Sequence, residues 1–400
     1  MTRNAVIGAE DAASRLGISR ATLYAYVSRG LVQARPDPED PRRSLYGRDE
    51  ISRLAKDKAR GRKPERIASA ALDWGLPALS SRITLIRDGR LFYRGHDAVR
   101  LSKRASLEDT ARLLWQCEAD DPFKMSERAP LPSQCAKAAI LPAIAPLAHP
   151  VDRCLAALAA HGVHNRMIWR RDPRHLWPDA AALLRLMAEA VTASAPDGGA
   201  IHRRMARAWG LGPKHAEIIR AALVLCADHE LNASAFAVRV VASTGASLTA
   251  CLMGGLGALS GPLHGGTTSL VEILFDEAER RGDAASVVEE RLRRGDMLPG
   301  FGHRLYPDGD PRAGALLALL PADRTRDTLL AAMGEIDGRH PNVDFALVAL
   351  RRALGLIPGS ALSIFAVGRA VGWIAHALEQ QAAGKLIRPR ARYIGEEPQF

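Results

Sequence analysis

Apolar residues recur at three- and four-residue spacing through most of the chain after Leu107, and this periodicity narrows the possible folds more than any other feature. Such spacing lines apolar side chains along one face of an α-helix, so we expect a mainly α body. No repeat of fixed period accompanies it. The periodicity predicts helices at residues 107–116, 136–141, 151–160, 179–193, 216–227, 233–258, 269–281, 285–294, 313–319, 324–336, 343–354 and 360–382.

Strand signals nearly end before these helices begin. Residues 82–87 are rich in β-branched and aliphatic side chains, Asp88 and Gly89 supply a turn, and residues 90–93 are strand-like again. This arrangement predicts a β-hairpin.

The segment at residues 240–263 contains no charged side chain. It is rich in Gly, Ser, Thr and Ala, which favours a helix pair buried in a core or a subunit interface over a membrane span. The first dozen residues include Glu10 and Asp11 and lack the apolar run of a secretory signal. Five cysteines without a CxxC pair predict reduced thiols. We therefore expect a cytoplasmic protein without a membrane partner.

The excess of positive charge is concentrated at the amino end. The whole chain has a formal charge of +11, and residues 1–66 hold 15 basic and 9 acidic side chains. A basic end on a near-neutral body indicates a phosphate-contacting module joined to something else.

The order of predicted elements in this basic region supports that interpretation. A short amphipathic helix at 9–16, a turn at 17–19, a helix at 20–29, a Pro-rich wing at 31–46 and a helix at 48–58 follow one another. The order resembles the winged helix-turn-helix of the mercury-resistance-regulator type, whose second helix enters the major groove of DNA. The resemblance implies DNA contacts within residues 1–60, from Arg20, Thr22, Tyr24, Arg42 and Arg43. The alternative is a protein-docking or vestigial module, because acidic residues at 37, 39 and 40 would repel phosphate.

Three histidines lie in loops between predicted helices: His229, His264 and His303. No two of them are within helical reach of each other and no cysteine accompanies them, so a metal site is not expected. The uses that remain are acid–base chemistry and hydrogen bonding to carbonyl or carboxylate groups.

These loops belong to a larger set of motifs that resembles the citrate synthase family from about Leu79 to Gly395. The other motifs are 93–95 (Tyr-Arg-Gly), 310–312 (Asp-Pro-Arg), 340–345 (His-Pro-Asn-Val-Asp-Phe), 368–373 (Gly-Arg-Ala-Val-Gly-Trp) and 387–389 (Ile-Arg-Pro). The resemblance implies condensation of acetyl-CoA with oxaloacetate, followed by thioester hydrolysis to citrate and CoA. No metal or redox cofactor is implied, since acetyl-CoA is a substrate.

The resemblance also implies a fold. We expect a two-domain helical fold after the winged helix-turn-helix domain and linker at 1–66. The large domain comprises residues 67–263 and 354–400, and the small domain comprises residues 264–353. Closure of the small domain over oxaloacetate would exclude water and complete the acetyl-CoA site.

Three residues match the catalytic positions of the family. The resemblance makes Asp344 the base that removes a proton from the acetyl methyl group. It makes His264 the donor that stabilises the enolate, acting as a neutral imidazole. It gives His303 the task of polarising and protonating the oxaloacetate carbonyl.

Oxaloacetate carries two carboxylates, which guanidinium groups bind in bidentate pairs. The resemblance assigns this binding to His229, Arg312, Arg369 and Arg388. In the family the last arginine comes from the partner subunit, so a homodimer with shared sites is implied. The CoA contacts are placed at Leu298, Pro299, Gly300, Phe301, Gly302 and Arg304.

Two departures from the family pattern stand near these residues. Thr267 and Thr268 replace the usual Ala-Asn after the second histidine loop, and we expect a threonine to cap the next helix there. Pro307 replaces a common Arg or Lys that helps to hold a CoA phosphate, so Arg304 or another basic residue would have to substitute.

Other interpretations remain open at this point. The same chemistry on propionyl-CoA would give 2-methylcitrate, since one methylene discriminates by only ~1–3 kcal/mol. A regulator could instead use a degenerate synthase domain to sense metabolites while binding DNA. Singly, Arg369 fits a buried ion pair, Arg388 a solvated tail, and Asp344 a helix cap.

Overall fold

The chain forms two compact units, Met1–Ser80 and Ser81–Phe400, in the computed structural model. The residues described are 6–28, 32–37, 40, 43–61, 78–117, 121–124, 141–145, 149–164, 172–194, 198–391, 393–396 and 398. The predicted boundary after Arg66 and most of the predicted helix at 136–141 lie outside these residues. The division of the second unit into a large and a small domain stays a prediction.

The first unit is a small α/β module with its own core. Its antiparallel sheet has the order β1-β3-β2, and α1 ends at Gly17, whose φ of 58° suits glycine. Leu16, Leu23, Tyr46 and Ile51 are buried between the helices and the sheet. The elements are β1 (Val6–Gly8), α1 (Ala9–Leu16), α2 (Arg20–Ser28), β2 (Ala34–Pro36), β3 (Ser44–Gly47) and α3 (Arg48–Gly61). The three predicted helices and the hairpin are present, and β1 was not predicted.

The second unit begins with the predicted hairpin. Strands β4 (Thr84–Arg87), β5 (Arg90–Tyr93) and β6 (His96–Asp97) form an antiparallel sheet in that order. Asp88 and Gly89 both have positive φ, at 51° and 66°, as a tight hairpin turn requires. In the described part of the chain no strand follows β6.

Beyond β6, the described residues of the second unit are mainly helical, which confirms the mainly α prediction. The helices are α4 (Ala98–Ser102), α5 (Leu107–Trp115), α6 (Pro150–His164), α7 (Pro173–Thr192), α8 (Ile201–Ala208), α9 (Pro213–Leu225), α10 (Ala233–Ser243), α11 (Leu248–Leu259), α12 (Thr267–Arg281), α13 (Ala284–Arg294), α14 (Pro311–Leu317), α15 (Arg324–Ile336), α16 (Val343–Ala353) and α17 (Ser360–Ala383). Helices α4 and α8 were not predicted. The run at 233–258 is two helices, because the chain turns at Gly245 and Ser247 caps α11.

Helix α17 lies at the centre of this unit and contacts α5, α7, α9, α10, α11 and α16. It is long and apolar enough to cross a membrane, and 94% of its most apolar stretch is buried inside the protein. It is therefore a core helix, and several of its buried residues form part of the candidate site.

Candidate active site

Glycines on α17 let the helix backbone lie against the loop between α9 and α10. The Gly372 N–H donates to the Ala227 carbonyl at 2.9 Å. A Cβ at Gly372 would lie 2.3 Å from Asp228 Oδ1, and one at Gly368 would lie 2.7 Å from the Leu223 carbonyl oxygen. Only glycine permits so close an approach at these two positions. Arg369 lies between them on α17 and is therefore held beside the loop.

Arg369 is a buried cation whose hydrogen bonds are only partly satisfied. Its side chain is 1% exposed, its Nε donates to the Cys226 carbonyl at 2.8 Å, and its Cζ lies 4.7 Å from the Phe365 ring centre. Among the described residues its Nη2 has no hydrogen-bond partner. Burial lowers its pKa, while Asp228 acts in the opposite direction. An anionic ligand would satisfy this guanidinium.

Arg312 is buried beside a carboxylate. Asp310 caps α14 and accepts two hydrogen bonds from the Arg312 guanidinium, from Nε at 3.0 Å and Nη2 at 2.8 Å. The same carboxylate accepts the Val343 N–H at 3.1 Å. Asp310 thereby ties the start of α14 to the start of α16, where Asp344 lies.

His229 and His303 meet in one aromatic cluster with Tyr306. The two imidazole centres are 5.0 Å apart, and His229 Nε2 lies 3.0 Å from the Tyr306 hydroxyl. Burial and the nearby cations Arg312 and Arg369 hold the pKa of His229 well below its ordinary value. His229 is therefore a neutral hydrogen-bonding group.

The backbone selects the tautomer of His303. The Leu305 N–H donates to His303 Nδ1 at 3.2 Å, so the proton of the neutral ring lies on Nε2. Burial, followed by Arg312, lowers the pKa of His303 to about 4. His303 is a neutral donor through Nε2.

His264 is oriented by Ser234. Its Nε2 lies 2.7 Å from the Ser234 hydroxyl, which also receives the Trp373 indole N–H at 3.1 Å and reaches the Asn232 side-chain oxygen at 2.7 Å. Burial and then Arg369 lower the pKa of His264 to about 4. The single Ser234 hydroxyl proton is donated to Asn232 Oδ1, so Ser234 accepts from His264 Nε2 in this arrangement. Rotation of the hydroxyl so that it donates to Nε2 would place the ring proton on Nδ1, which is then a neutral donor.

Asp344 is not the cap of its helix. That role belongs to Asn342, whose Oδ1 accepts the Asp344 and Phe345 N–H groups. Among the described residues the Asp344 carboxyl has no hydrogen-bond partner, and its pKa is raised to about 7. Burial is the main cause and Asp310 adds to it, against the opposing effect of Arg312 and Arg369. A carboxylate in this state can accept a proton near neutral pH.

Ring contacts and electrostatic interactions therefore link six of the seven predicted catalytic and substrate residues in one region. They are His229, His264, His303, Arg312, Asp344 and Arg369. The seventh, Arg388, is exposed in the segment after α17. None of the contacts that join the others includes it.

The predicted CoA residues lie in a loop that pairs with the start of the Asp344 motif. Gly302 N–H donates to the His340 carbonyl and Asn342 N–H to the Gly300 carbonyl, both at 2.8 Å. Leu298, Pro299, Gly300 and Phe301 are buried, whereas Arg304 is exposed. Beside this loop is a pocket of about 240 Å³. Its lining includes His303, Pro307, Arg339 and His340.

The expected threonine cap on α12 is wrong. Gly266 occupies the cap position and makes no side-chain bond. The Thr267 hydroxyl donates to the Pro262 carbonyl at 3.2 Å and the Thr268 hydroxyl to the Gly265 carbonyl at 2.9 Å. Both side chains bind the turn that carries His264, because the chain folds back on itself there.

In the first unit, the predicted DNA contacts differ in accessibility. Arg20 and Tyr24 are exposed on α2, with Arg20 Nη2 lying 3.5 Å from the Tyr24 hydroxyl. The Thr22 hydroxyl lies 2.8 Å from that of Ser19, which also caps the helix. Arg43 is exposed and pairs with Asp40 at 3.4 Å. Arg42 lies outside the described residues.

Within the described ranges, no group of three or more His, Cys, Asp or Glu side chains is placed to hold a metal ion. The site offers arginines, neutral imidazoles and, besides the Asp310 carboxylate bound to Arg312, the carboxyl group of Asp344, which suits a dianionic ligand and proton transfer.

Similarity to known proteins identifies the family of the chain. A family model described as the citrate synthase C-terminal domain matches residues 71–390. The chain belongs to the citrate synthase family. It is 30% identical to citrate synthase 2 of Bacillus subtilis over 358 residues, covering 81% of this chain and 95% of that protein. The crystal structure of citrate synthase from Thermotoga maritima matches with a TM-score of 0.68 and 27% identity, covering 82% of this chain and 96% of that one.

Two kinds of relative bear on activity within the citrate synthase family. A relative from Mycobacterium tuberculosis that is named as a citrate synthase is 46% identical over 200 residues. The match covers 46% of this chain and 53% of that relative's length. The 2-methylcitrate synthase of the same organism is 31% identical over 344 residues, covering 77% of this chain and 85% of that enzyme. Relatives of both names leave the acyl substrate to be proposed.

Several residues that support this citrate synthase-like site were given no role from the sequence. The role of Asp310 could have been predicted, since an aspartate before Pro311 is a typical helix cap. The others gave no local signal, because each acts on a partner far along the chain. They are Ser234, Tyr306, Trp373, Asp228 and His376.

Proposed function

We propose that this chain condenses oxaloacetate with an acyl-CoA and hydrolyses the resulting thioester. The observation that carries the proposal is the pairing of two buried arginines, Arg312 and Arg369, with neutral imidazoles and a carboxyl group whose pKa is about 7. The arginines suit the two carboxylates of oxaloacetate, and an N–H group of Arg369 has no partner within the part of the chain that the structure describes. No cofactor is required.

Each step of the reaction has a group in a suitable protonation state. Asp344 removes a proton from the carbon next to the thioester, and the neutral His264 donates a hydrogen bond to the enolate oxygen. The enolate carbon attacks the oxaloacetate carbonyl, whose oxygen receives the Nε2 proton of His303, and the proton taken up by Asp344 then returns to His303, so both groups regain their starting states. Water then hydrolyses the citryl thioester and releases CoA.

Acetyl-CoA is the acyl donor that we propose first, with propionyl-CoA as the second candidate. The second is supported by the 31% identity to a 2-methylcitrate synthase. The two donors differ by one methylene, which an apolar pocket discriminates by only ~1–3 kcal/mol.

The deciding experiment measures thiol release from both acyl-CoA esters in the presence of oxaloacetate. Preference for acetyl-CoA supports a citrate synthase, and preference for propionyl-CoA supports a 2-methylcitrate synthase. Asp344→Ala should abolish release while the protein stays folded. Normal turnover by this variant would contradict the assignment of the base.

We further propose a cytoplasmic homodimer in which Arg388 completes the partner's site. The exposure of Arg388 away from its own cluster supports this arrangement. Asp344→Asn and Arg388→Ala homodimers should each be nearly inactive, and subunit exchange between them should restore part of the activity. No recovery after verified exchange would place Arg388 in its own subunit's site or outside both.

The first unit supports a second, separate proposal that it is a winged helix-turn-helix which binds DNA. The exposed Arg20 and Tyr24 on α2 would face the groove, with Arg43 at the wing. Binding that weakens steeply with salt and is reduced by Arg20→Ala would support this. If thiol release is absent while oxaloacetate raises the melting temperature and alters DNA binding, a metabolite-sensing regulator is the better description.

A further inference from the structure

A buried polar chain lies behind His229, and the proposed reaction does not use it. His376 on α17 and Asp228 beside His229 are both fully buried, and His376 Nε2 lies 3.2 Å from Asp228 Oδ1, in contact with it but not aligned as a hydrogen bond. On the other side, the Arg239 Nε–H donates to His376 Nδ1 at 2.9 Å. Because Nδ1 accepts this bond, the proton of the neutral ring lies on Nε2 and faces Asp228.

Asp228 transmits this contact to the loop that carries His229. Its Oδ2 accepts the Thr84 hydroxyl at 2.5 Å and the Glu230 N–H at 3.2 Å. Glu230 has a φ of 56°, a left-handed conformation that is strained for a residue other than glycine. Such a conformation persists where several contacts hold it in place. His229 lies between Asp228 and Glu230, so the Asp228 carboxylate constrains the backbone on both sides of it.

The far end of the chain is anchored to α17 as well. Arg239 Nη1 donates to Gln380 Oε1 at 3.2 Å, and its Nη2 donates to Glu379. Arg239 is itself on α10, and Thr84 is on β4. The polar chain therefore fastens α10, α17 and β4 to the loop that carries His229.

We propose that His376 is a positioning residue, which acts through Asp228 to hold His229 against the dicarboxylate substrate. This inference rests on the proposed function, in which His229 binds oxaloacetate. His376 itself is fully buried behind the loop and contacts Asp228 and Arg239. Its loss would leave the Arg239 Nε–H buried without its partner, would remove the imidazole that contacts Asp228 Oδ1, and would free the strained loop to relax.

The test compares oxaloacetate binding by the full-length wild type and His376→Leu, by calorimetry and through the KM for oxaloacetate. A displacement of His229 by about 1 Å is expected to reduce affinity and kcat/KM for oxaloacetate by about 10- to 100-fold. The KM for acyl-CoA, measured at saturating oxaloacetate, should not change. His376→Gln places an N–H donor near the position of Nε2 and should recover most of the loss.

His202→Leu is the matched control, because His202 is also a buried helical histidine and lies on α8, outside the site. It should lower the melting temperature without a selective loss of oxaloacetate affinity. A folded His376→Leu protein with wild-type affinity would overturn the proposal. If that variant does not fold, Asp228→Asn decides, and unchanged affinity in it would overturn the proposal equally.

The outcomes separate this inference from the proposed function. A wild-type protein that binds oxaloacetate but releases no thiol overturns the condensation, and the affinities of the variants still decide the role of His376. A wild-type protein that binds no oxaloacetate overturns both.

Discussion

At the residue scale, desolvation inverts the usual order of acid strength in the site. In water an aspartate loses its proton near pH 4 and a histidine near pH 6.5. Here burial raises the pKa of Asp344 to about 7 and lowers the pKa values of His264 and His303 to about 4. Near neutral pH the carboxyl group is therefore a poised base, while both imidazoles are neutral donors.

The first prediction at this scale concerns the pH dependence of turnover. Asp344 must be ionised to act, so kcat/KM should rise about tenfold per pH unit below pH about 7 and level off above it. Titration of His264 and His303 should not change kcat/KM in this range, because both imidazoles remain neutral above pH about 4. A flat profile between pH 5 and 8 would contradict the assignment of Asp344 as base.

The second prediction concerns stability at the same residue. The raised pKa of Asp344 means that the folded state favours the protonated carboxyl, so its contribution to stability is lost as pH rises through about 7. Asp344→Asn should therefore stabilise the protein at pH 8 by about 1–2 kcal/mol, and by less at pH 5, while turnover falls about 10²–10⁴-fold. Unfolding in urea at the two pH values measures the difference. Equal effects at both would show that the carboxyl titrates normally.

At the element scale, α17 organises the site through residues spaced four apart. Phe365, Arg369 and Trp373 follow one another at this spacing and contact the His264 ring, the Cys226 carbonyl and the Ser234 hydroxyl. Gly368 and Gly372 share a second face with His376, and this face meets the end of α9 and the loop that follows it, at residues 223–228. One helix therefore sets the orientation of both the α9–α10 loop and His264.

This arrangement predicts a contrast between two glycine-to-alanine changes. Gly372→Ala would place a Cβ 2.3 Å from Asp228 Oδ1, so we expect it to destabilise the protein by about 3 kcal/mol and to weaken oxaloacetate binding. Gly334→Ala on α15 meets no atom within 4 Å and should stabilise by about 0.5–1 kcal/mol, since alanine is the better helix former. Thermal unfolding of both variants measures this. Equal destabilisation would show that the close approach at Gly372 is not made.

At the scale of the whole molecule, the clustered residues of the candidate site and the basic module belong to different compact units. Each has its own buried core. The six clustered site residues all lie in the second unit, within Ser81–Phe400.

Removal of residues 1–66 should therefore leave catalysis nearly intact. We expect kcat/KM to change by less than about twofold, the size of a surface effect. Steady-state kinetics with the sedimentation behaviour of both proteins measures this. Loss of the dimer on deletion would instead make the first unit part of the assembly, and binding to DNA should disappear in either case.

Features that depend on near neighbours in the chain could be predicted from the sequence. Helix periodicity acts over three or four residues and the Asp88–Gly89 turn over two, and both are present in the structure. Helix α8 was missed because four of its eight residues are Arg or His, and its first N–H is satisfied by Glu108, 93 residues away. The motifs also identified the chemical types in the site: histidines, arginines and an aspartate.

The arrangement and ionisation of those residues required the folded chain. Ser234 meets His264 across 30 residues, Arg239 meets His376 across 137, and Thr84 meets Asp228 across 144. The raised pKa of Asp344 comes mainly from its burial away from water, which requires the packed second unit. The sequence pattern determines which helices and turns form, because the interactions that stabilise them span only a few residues. It also determines which chemical groups are available for the site. Desolvation and the pairing of buried polar groups arise only when distant segments pack together, so they are properties of the tertiary structure.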